Sequence, residues 1–225
     1  MKEFKTINLV ISGVGGQGVA HTGQIIATAA HKSGFEVFNA EVHGMTQGSG
    51  SVFTTVRYGT RVYSPSFSEG SSDFLVALEL LEAVRYVNYL KPNGIVLANV
   101  QKIIPAIESL KCAPYPKHAE LYLRKRTSSV ILIPGLEISL ALGNAKLANC
   151  VLLGVLSTLV EFPREAWLKA MTELSPRDNL QNNRIAFMEG IAWLRESHAA
   201  DALQRIYNSR RFSHAPDLMP GWIPA

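Results

Sequence analysis

Cysteine is scarce in this chain. Only Cys112 and Cys150 occur in 225 residues, and they stand far apart. Iron–sulfur clusters are held by several Cys thiolates at close spacing, so this chain is not expected to carry one. No Cys or His pair has the spacing of a structural zinc site either. Cys150 lies in the apolar run Ala148–Leu156 and reads as a small buried hydrophobe. Charged residues are also sparse, at 18% against 47% apolar, a balance that suits a globular chain with a sizeable core. No apolar run reaches the roughly 18 residues that a membrane span requires. The opening Met1-Lys-Glu-Phe-Lys5 runs straight into a strand and lacks the form of a signal peptide. A cytoplasmic location without membrane contact is the expectation. The net charge of +4 is mild. Basic residues gather at Lys117–Arg126 and near Arg205, Arg210 and Arg211, without the interleaved aromatics of a nucleic-acid surface, so nucleic acid is not an expected partner.

Glycine is where the chain is specific. Ile7–Ile11 is β-branched and apolar, as a strand buried on both faces would be. It runs into Gly13-Val-Gly-Gly-Gln-Gly18, in which Gly13, Gly15 and Gly18 fit G-x-G-x-x-G and Gly16 is added. Such glycines allow a tight turn, close approach of backbone to a ligand or partner, and close helix–strand packing. The free N–H groups and dipole of the helix that follows make an anion site.

Further along, apolar spacing predicts a helix over Val19–Ser33 with Gly34 as its stop, and a second strand over Phe35–Ala40. Together they form a β-α-β unit expected to be parallel and right-handed. Ser51–Tyr58 reads as a strand that turns at Gly59-Thr60 into Arg61–Tyr63, a hairpin signal. Strands are expected at Phe74–Leu78, Ile95–Ala98 and Val130–Ile133, and helices at Leu80–Leu90, Leu136–Leu142, Leu147–Val160, from near Arg164, and at Asn179–Glu196. Pro92-Asn-Gly94 reads as a turn. This alternation predicts an α/β fold. It is a Rossmann-like, doubly wound, mostly parallel sheet with an inserted hairpin and a helical C-terminal region. Residues 1–197 are expected to form one domain. Residues 198–225, with their prolines and isolated Trp222, read as an extended or partner-docking arm.

Two functions compete on these residues. Glu41 follows the second strand at roughly the 20-residue distance beyond the glycine loop where a ribose-binding acid is expected. A stand-alone NAD(P)- or FAD-binding protein is therefore one reading. Against it, no second domain for a hydride-accepting substrate is present.

The other reading comes from the residues that continue past Glu41. The glycine loop, then Glu41-Val-His-Gly-Met45, then a Gly/Ser-rich segment leading into a strand, resembles the gamma-type module of 2-oxoacid:ferredoxin oxidoreductases, most of all the indolepyruvate type. Asp73-Phe-Leu-Val-Ala-Leu-Glu79, Lys91-Pro-Asn-Gly-Ile-Val-Leu97, Gly143–Asn149 and Leu152-Leu-Gly154 agree in order, so the likeness runs from about Ile7 to Trp193. At Gln47-Gly48-Ser49-Gly50 the chain departs from the family pattern of an arginine followed by paired glycines. No contact made by that arginine is carried over.

The resemblance implies a subunit of an oxidoreductase that decarboxylates a 2-oxoacid, indolepyruvate or another arylpyruvate, passes electrons to ferredoxin and forms an acyl-coenzyme A. This chain has no Gly-Asp-Gly of the usual thiamine site, and Asn182-Asn183 has no such partner upstream. The resemblance therefore assigns thiamine diphosphate, its magnesium and the iron–sulfur clusters to a catalytic partner subunit, with ferredoxin reached through the complex. This chain holds no cofactor of its own and at most helps cover coenzyme A. The expected cofactor-binding or active-site wall is Gly13, Gly15, Gly16, Gln17, Gly18, Glu41, His43, Gln47 and Ser49. No catalytic residue and no metal ligand is assigned. His43 lacks a nearby nucleophile or second base and is expected to organise its loop. The isolated chain is expected to be inactive, and either to self-associate or to be less stable than in its complex.

Overall fold

The computed structural model describes residues 6–42, 50–103 and 115–197. His43, Gln47, Ser49, Cys112 and the arm 198–225 lie outside the described residues. Six strands form one sheet: β1 (Ile7–Val14), β2 (Glu36–Val42), β3 (Ser51–Gly59), β4 (Ser72–Ala77), β5 (Leu90–Asn99) and β6 (Val130–Ile133). Their order across the sheet is β2-β3-β1-β4-β5-β6. β1, β4, β5 and β6 are parallel, and β3 runs antiparallel to both its neighbours. The described helices are α1 (Val19–Lys32), α2 (Leu80–Tyr86), α3 (Ala119–Arg126), α4 (Gly135–Ala141), α5 (Ala148–Leu156), α6 (Arg164–Leu174) and α7 (Leu180–Glu196). The α/β class and the mostly parallel sheet agree with the sequence.

Alternation along the strands divides the interior in two. Leu9, Ile11, Phe74, Val76, Ile95, Leu97, Ile131 and Ile133 face one way and pack under α1, α5, α6 and α7. Val10, Leu75, Ala77, Val96, Ala98 and Val130 face the other way, under α2 and α3. Where both faces of a central strand are covered it is apolar, which is why Phe74–Ala77 of β4 and Ile95–Ala98 of β5 read as continuous runs. Cys150 sits in the first core, where burial pushes its thiol up to about 12. No described helix is long and apolar enough to cross a membrane.

Three expectations are corrected. β2 does not lie beside β1, because β3 stands between them. β3 suits that inner place, with Thr54, Thr55, Val56 and Tyr58 buried. β2 exposes Glu36, Phe38 and Glu41 and suits an edge. The hairpin is therefore β2–β3, in register from Glu36↔Gly59 to Val42↔Phe53. Residues 61–63 form no strand, since their neighbourhood is held by side chains instead. Arg57 Nη1 donates to the carbonyls of Ser64 (2.7 Å) and Ser66 (2.6 Å), and the Val62 N–H donates to Glu36 Oε2 at 2.9 Å. Last, Lys91–Gly94 belongs to β5, whose pairing with β4 shifts register between Ser72 and Phe74, so the expected turn is absorbed as a bulge.

Candidate functional site

The parallel strands all end at one edge of the sheet. β1 leads there into the glycine loop, β4 into Leu78-Glu79 and β5 into Val100–Ile103, while β3 begins there at Ser51. The chain leaves β1 for α1 on one face and leaves β4 for α2 on the other. The gap between β1 and β4 is thus the point where the winding reverses, the place at which open α/β sheets bind ligands.

Gly13 has to be glycine for packing. A Cβ there would lie 2.8 Å from Val19 Cγ2 and 3.2 Å from Leu78 Cβ. Gly16 (φ 89°) and Gly18 (φ 80°) adopt left-handed backbone. No described atom lies within 4 Å of the Cβ position of Gly16, so that residue faces open space. The Gly15 N–H donates to the carbonyl of Gly50 at 2.8 Å, which ties the loop to the root of β3. No side chain caps the first turn of α1.

The side chain of Gln17, a member of the expected wall, does not project from the edge. Its carboxamide turns inward, because its oxygen has a backbone donor to satisfy and its nitrogen two acceptors. Oε1 accepts the Val14 N–H at 2.8 Å, and Nε2 donates to the Leu78 carbonyl (3.0 Å) and to Gln101 Oε1 (3.4 Å). Asn99 Nδ2 donates to the same two oxygens at 3.3 and 3.2 Å. The result is a closed ring of carboxamides and backbone across the gap between β1 and β4. From the far side, Asn149 of α5 donates to the Gln17 carbonyl at 2.6 Å and stands 3.0 Å from the Cβ position of Gly18.

Glu41 is not part of this arrangement. It sits on the edge strand with its carboxylate at 3.4 Å from Gln24 Nε2, one strand removed from β1. Two interstrand spacings, roughly 10 Å, separate β2 from β1. A ribose-binding acid in a dinucleotide fold stands on the strand adjacent to β1, and here β3 occupies that place. His21, in the first turn of α1, has its pKa lowered by burial.

The edge also holds residues that sequence reasoning missed. Glu79 and Glu82 begin α2, and both are buried, at 1% and 3% exposure. Glu79 Oε2 accepts the Glu82 N–H at 2.9 Å, while Oε1 accepts the Tyr115 O–H at 2.6 Å and the Ile103 N–H at 3.2 Å. Glu82 accepts from the Ser51 hydroxyl and from Arg85 Nε (3.1 Å), and Ser51 Oγ also lies 3.0 Å from Tyr86 Oη. Burial pushes the Glu82 carboxyl above its ordinary value, against the pull of Ser51 and Arg85. Burial first, and the bond to Glu79 second, raise the Tyr115 phenol, so it stays protonated as a donor. The available signal was an acid at each end of Glu79-Leu-Leu-Glu82 directly after an apolar strand. That signal is weak in sequence, because paired helix acids ordinarily face solvent.

Glu82 gives this edge a pH signature. A carboxyl raised above 4.5 in the fold binds its proton more tightly there than in the unfolded chain. The stability this contributes is fully present below pH 4.5 and is lost as pH rises through the raised value. Glu82→Gln should therefore flatten the fall in stability above pH 4.5, measured as the difference between wild-type and variant melting temperatures across pH. An unchanged difference would show the carboxyl to be solvated.

Among the described residues no group of His, Cys, Asp and Glu is placed to hold a metal ion. The site is a glycine-loop edge braced by carboxamides and buried acids. The family model of pyruvate ferredoxin/flavodoxin oxidoreductases matches residues 8–193. The indolepyruvate oxidoreductase subunit IorB of Pyrococcus horikoshii is 36% identical over 201 residues, covering 87% of this chain and 98% of the relative. That of Archaeoglobus fulgidus is 42% identical over 159 residues, covering 70% of this chain and 79% of the relative. The fold is shared with the gamma subunit of a keto/oxoacid ferredoxin oxidoreductase from Geobacter sulfurreducens (TM-score 0.62, 23% identity, 83% of this chain and 94% of that one). It is also shared with part of a 2-oxoglutarate:ferredoxin oxidoreductase from Magnetococcus marinus solved with 2-oxoglutarate, coenzyme A and succinyl-CoA (TM-score 0.67, 18% identity, 85% of this chain and 31% of that one). The chain belongs to the pyruvate ferredoxin/flavodoxin oxidoreductase family, as a subunit of a 2-oxoacid oxidoreductase.

Proposed function

We propose that this chain is the cofactor-free subunit of an oxidoreductase that acts on indolepyruvate or another arylpyruvate. The assembled enzyme breaks the bond between the oxoacid carbonyl and its carboxylate, releases carbon dioxide, joins the acyl group to the sulfur of coenzyme A and passes the electron pair to ferredoxin. The observation that carries this reading is the match to indolepyruvate oxidoreductase subunits along 98% of a relative's length. Thiamine diphosphate with its magnesium, and iron–sulfur clusters, supply carbanion stabilisation and one-electron transfer in such a reaction. Among the described residues no donor set fits either group. Its described cysteine is a single buried thiol, and its buried acids are already engaged by Ser51, Arg85, Tyr115 and backbone. Both groups are therefore assigned to the partner subunit. This chain supplies the wall that apposes them, from the loop Gly13, Gly15, Gly16, Gln17 and Gly18, with His43, Gln47 and Ser49 as its further members; Glu41, one strand removed, is left out of it. Coenzyme A is the ligand this wall would help cover. Residues 1–197 act as one unit, with 198–225 as the segment that docks on the partner. The cytoplasm is the compartment we assign.

Co-expression with the catalytic subunit, followed by assay over a panel of 2-oxoacids with coenzyme A and ferredoxin, tests the proposal. Ferredoxin reduction should require both chains and be fastest with arylpyruvates. Saturable NAD, NADP or FAD binding by the lone chain in calorimetric titration, weakened by Glu41→Ala, would instead establish the stand-alone nucleotide-binding reading.

A further inference from the structure

Glu79 is a strange choice to start a helix. Ser, Thr, Asp and Asn dominate at that position because a short side chain is enough to reach the N–H one turn on. Glu79 makes that bond and uses its extra length to reach Ile103 and Tyr115, which lie on either side of residues 104–114. One turn later, Glu82 reaches Ser51, the first residue of β3, whose neighbour Gly50 accepts the Gly15 N–H of the glycine loop. Two carboxylates thus fasten three separate stretches of chain at the edge where β1, β4 and β5 end.

Stability does not explain them. Buried acids are costly to desolvate, and replacing buried ionic groups by neutral ones is often neutral or stabilising. The two carboxylates also repel each other, and among the described residues the cation bonded to them, Arg85, is half exposed. A pair kept under such conditions holds geometry. We propose that Glu79 and Glu82 are positioning residues for the reaction of the assembled enzyme, setting Ile103, Tyr115 and the root of β3 at the edge that carries the glycine loop. They touch no substrate and act through Tyr115, Ile103 and Ser51. This inference rests on the subunit reading above.

The test uses Glu82→Gln and Tyr115→Phe in the full chain, assembled with its catalytic subunit, alongside Glu79→Gln in the full chain alone. Both assembled variants should lose about tenfold or more in kcat, the scale on which misplaced groups act. The KM for the 2-oxoacid should stay within about twofold, since ground-state binding is not what these residues serve. At pH 7 Glu82→Gln should melt no lower than wild type, a separation of rate from stability that a merely structural residue would not produce. In the lone chain, hydrogen exchange at the Glu82 amide, the Ile103 amide or both should speed up in Glu79→Gln, because Glu79 Oε2 accepts the one and Oε1 the other. One amide cannot accept from Glu82, Ile103 and Tyr115 together. A kcat within about twofold of wild type in both variants, or a loss matched by an equal loss of folded protein, would overturn the proposal. If the wild-type complex shows no activity, the subunit reading fails. The inference falls with it; with an active complex, unchanged exchange at both the Glu82 and Ile103 amides overturns the inference alone.

Discussion

Replacing Gly154 or Gly190 by alanine should cost the fold more than any other single methyl group we can place. The two glycines mark the crossing of α5 and α7. A Cβ on Gly154 would lie 2.1 Å from the Phe187 carbonyl oxygen, and one on Gly190 would lie 2.1 Å from the Val151 carbonyl oxygen. Both obstacles are backbone, so no side chain can swing aside and the helices must move apart. Trp167, Leu153 and Phe187 share that packed layer and would lose contact with them. In an unobstructed helix interior, glycine to alanine stabilises by roughly 0.5–1 kcal/mol. Here overpacking reverses the sign, at about 3 kcal/mol or more. At roughly 2–4 °C per kcal/mol for a chain of this size, either variant should melt about 10 °C lower, readable by calorimetry or circular dichroism. A melting temperature equal to or above wild type would mean that the helices do not cross at this distance.

Gly16→Val should be the most damaging change to the assembled enzyme. The residue holds φ at 89° and faces open space at the carboxyl edge of the sheet. Valine there crowds no described atom of its own chain, and its cost to the fold is the left-handed backbone alone, about 1–2 kcal/mol. What it does add is an isopropyl group at a position with no described atom within 4 Å of its Cβ. If that surface meets the partner's active site, kcat should fall by about 100-fold, as small displacements near reacting groups do. Gly16→Asn separates the causes, because asparagine tolerates positive φ and is less bulky at Cβ. It should recover most of the stability and only part of the activity. Equal activity in all three proteins, at equal folded fraction, would remove the glycine loop from the functional surface.

The class of fold and the family were both legible before any coordinates. Strands that must be apolar on both faces announce themselves as β-branched runs, and a glycine loop between such a strand and a helix marks the head of an α/β sheet. Those are local signals. Register and order are not local. That β3 would enter between β1 and β2 depends on which strand can be covered on both edges, a competition between Ser51–Gly59 and Glu36–Val42 that neither segment decides alone. The same distance hid the acid pair. Glu79 and Glu82 read as an ordinary helix start until Ser51, Ile103 and Tyr115 close on them from positions tens of residues away.

By itself, then, the sequence determined what the chain is made to be: a two-faced α/β module with a glycine loop, too poor in cysteine for a cluster, and a member of an oxidoreductase family whose likeness runs along nearly its whole length. Only the tertiary structure decided what its functional edge contains. Gln17 reads as a residue offered to a ligand, yet it turns inward because the Val14 N–H and the Leu78 carbonyl need partners where β1 and β4 diverge. Glu41 reads as a ribose acid, yet the insertion of β3 carries it one strand too far away. Side-chain chemistry is written residue by residue. Which polar groups are left to face one another is set by packing, since each buried donor or acceptor must be satisfied by whatever the fold brings within reach.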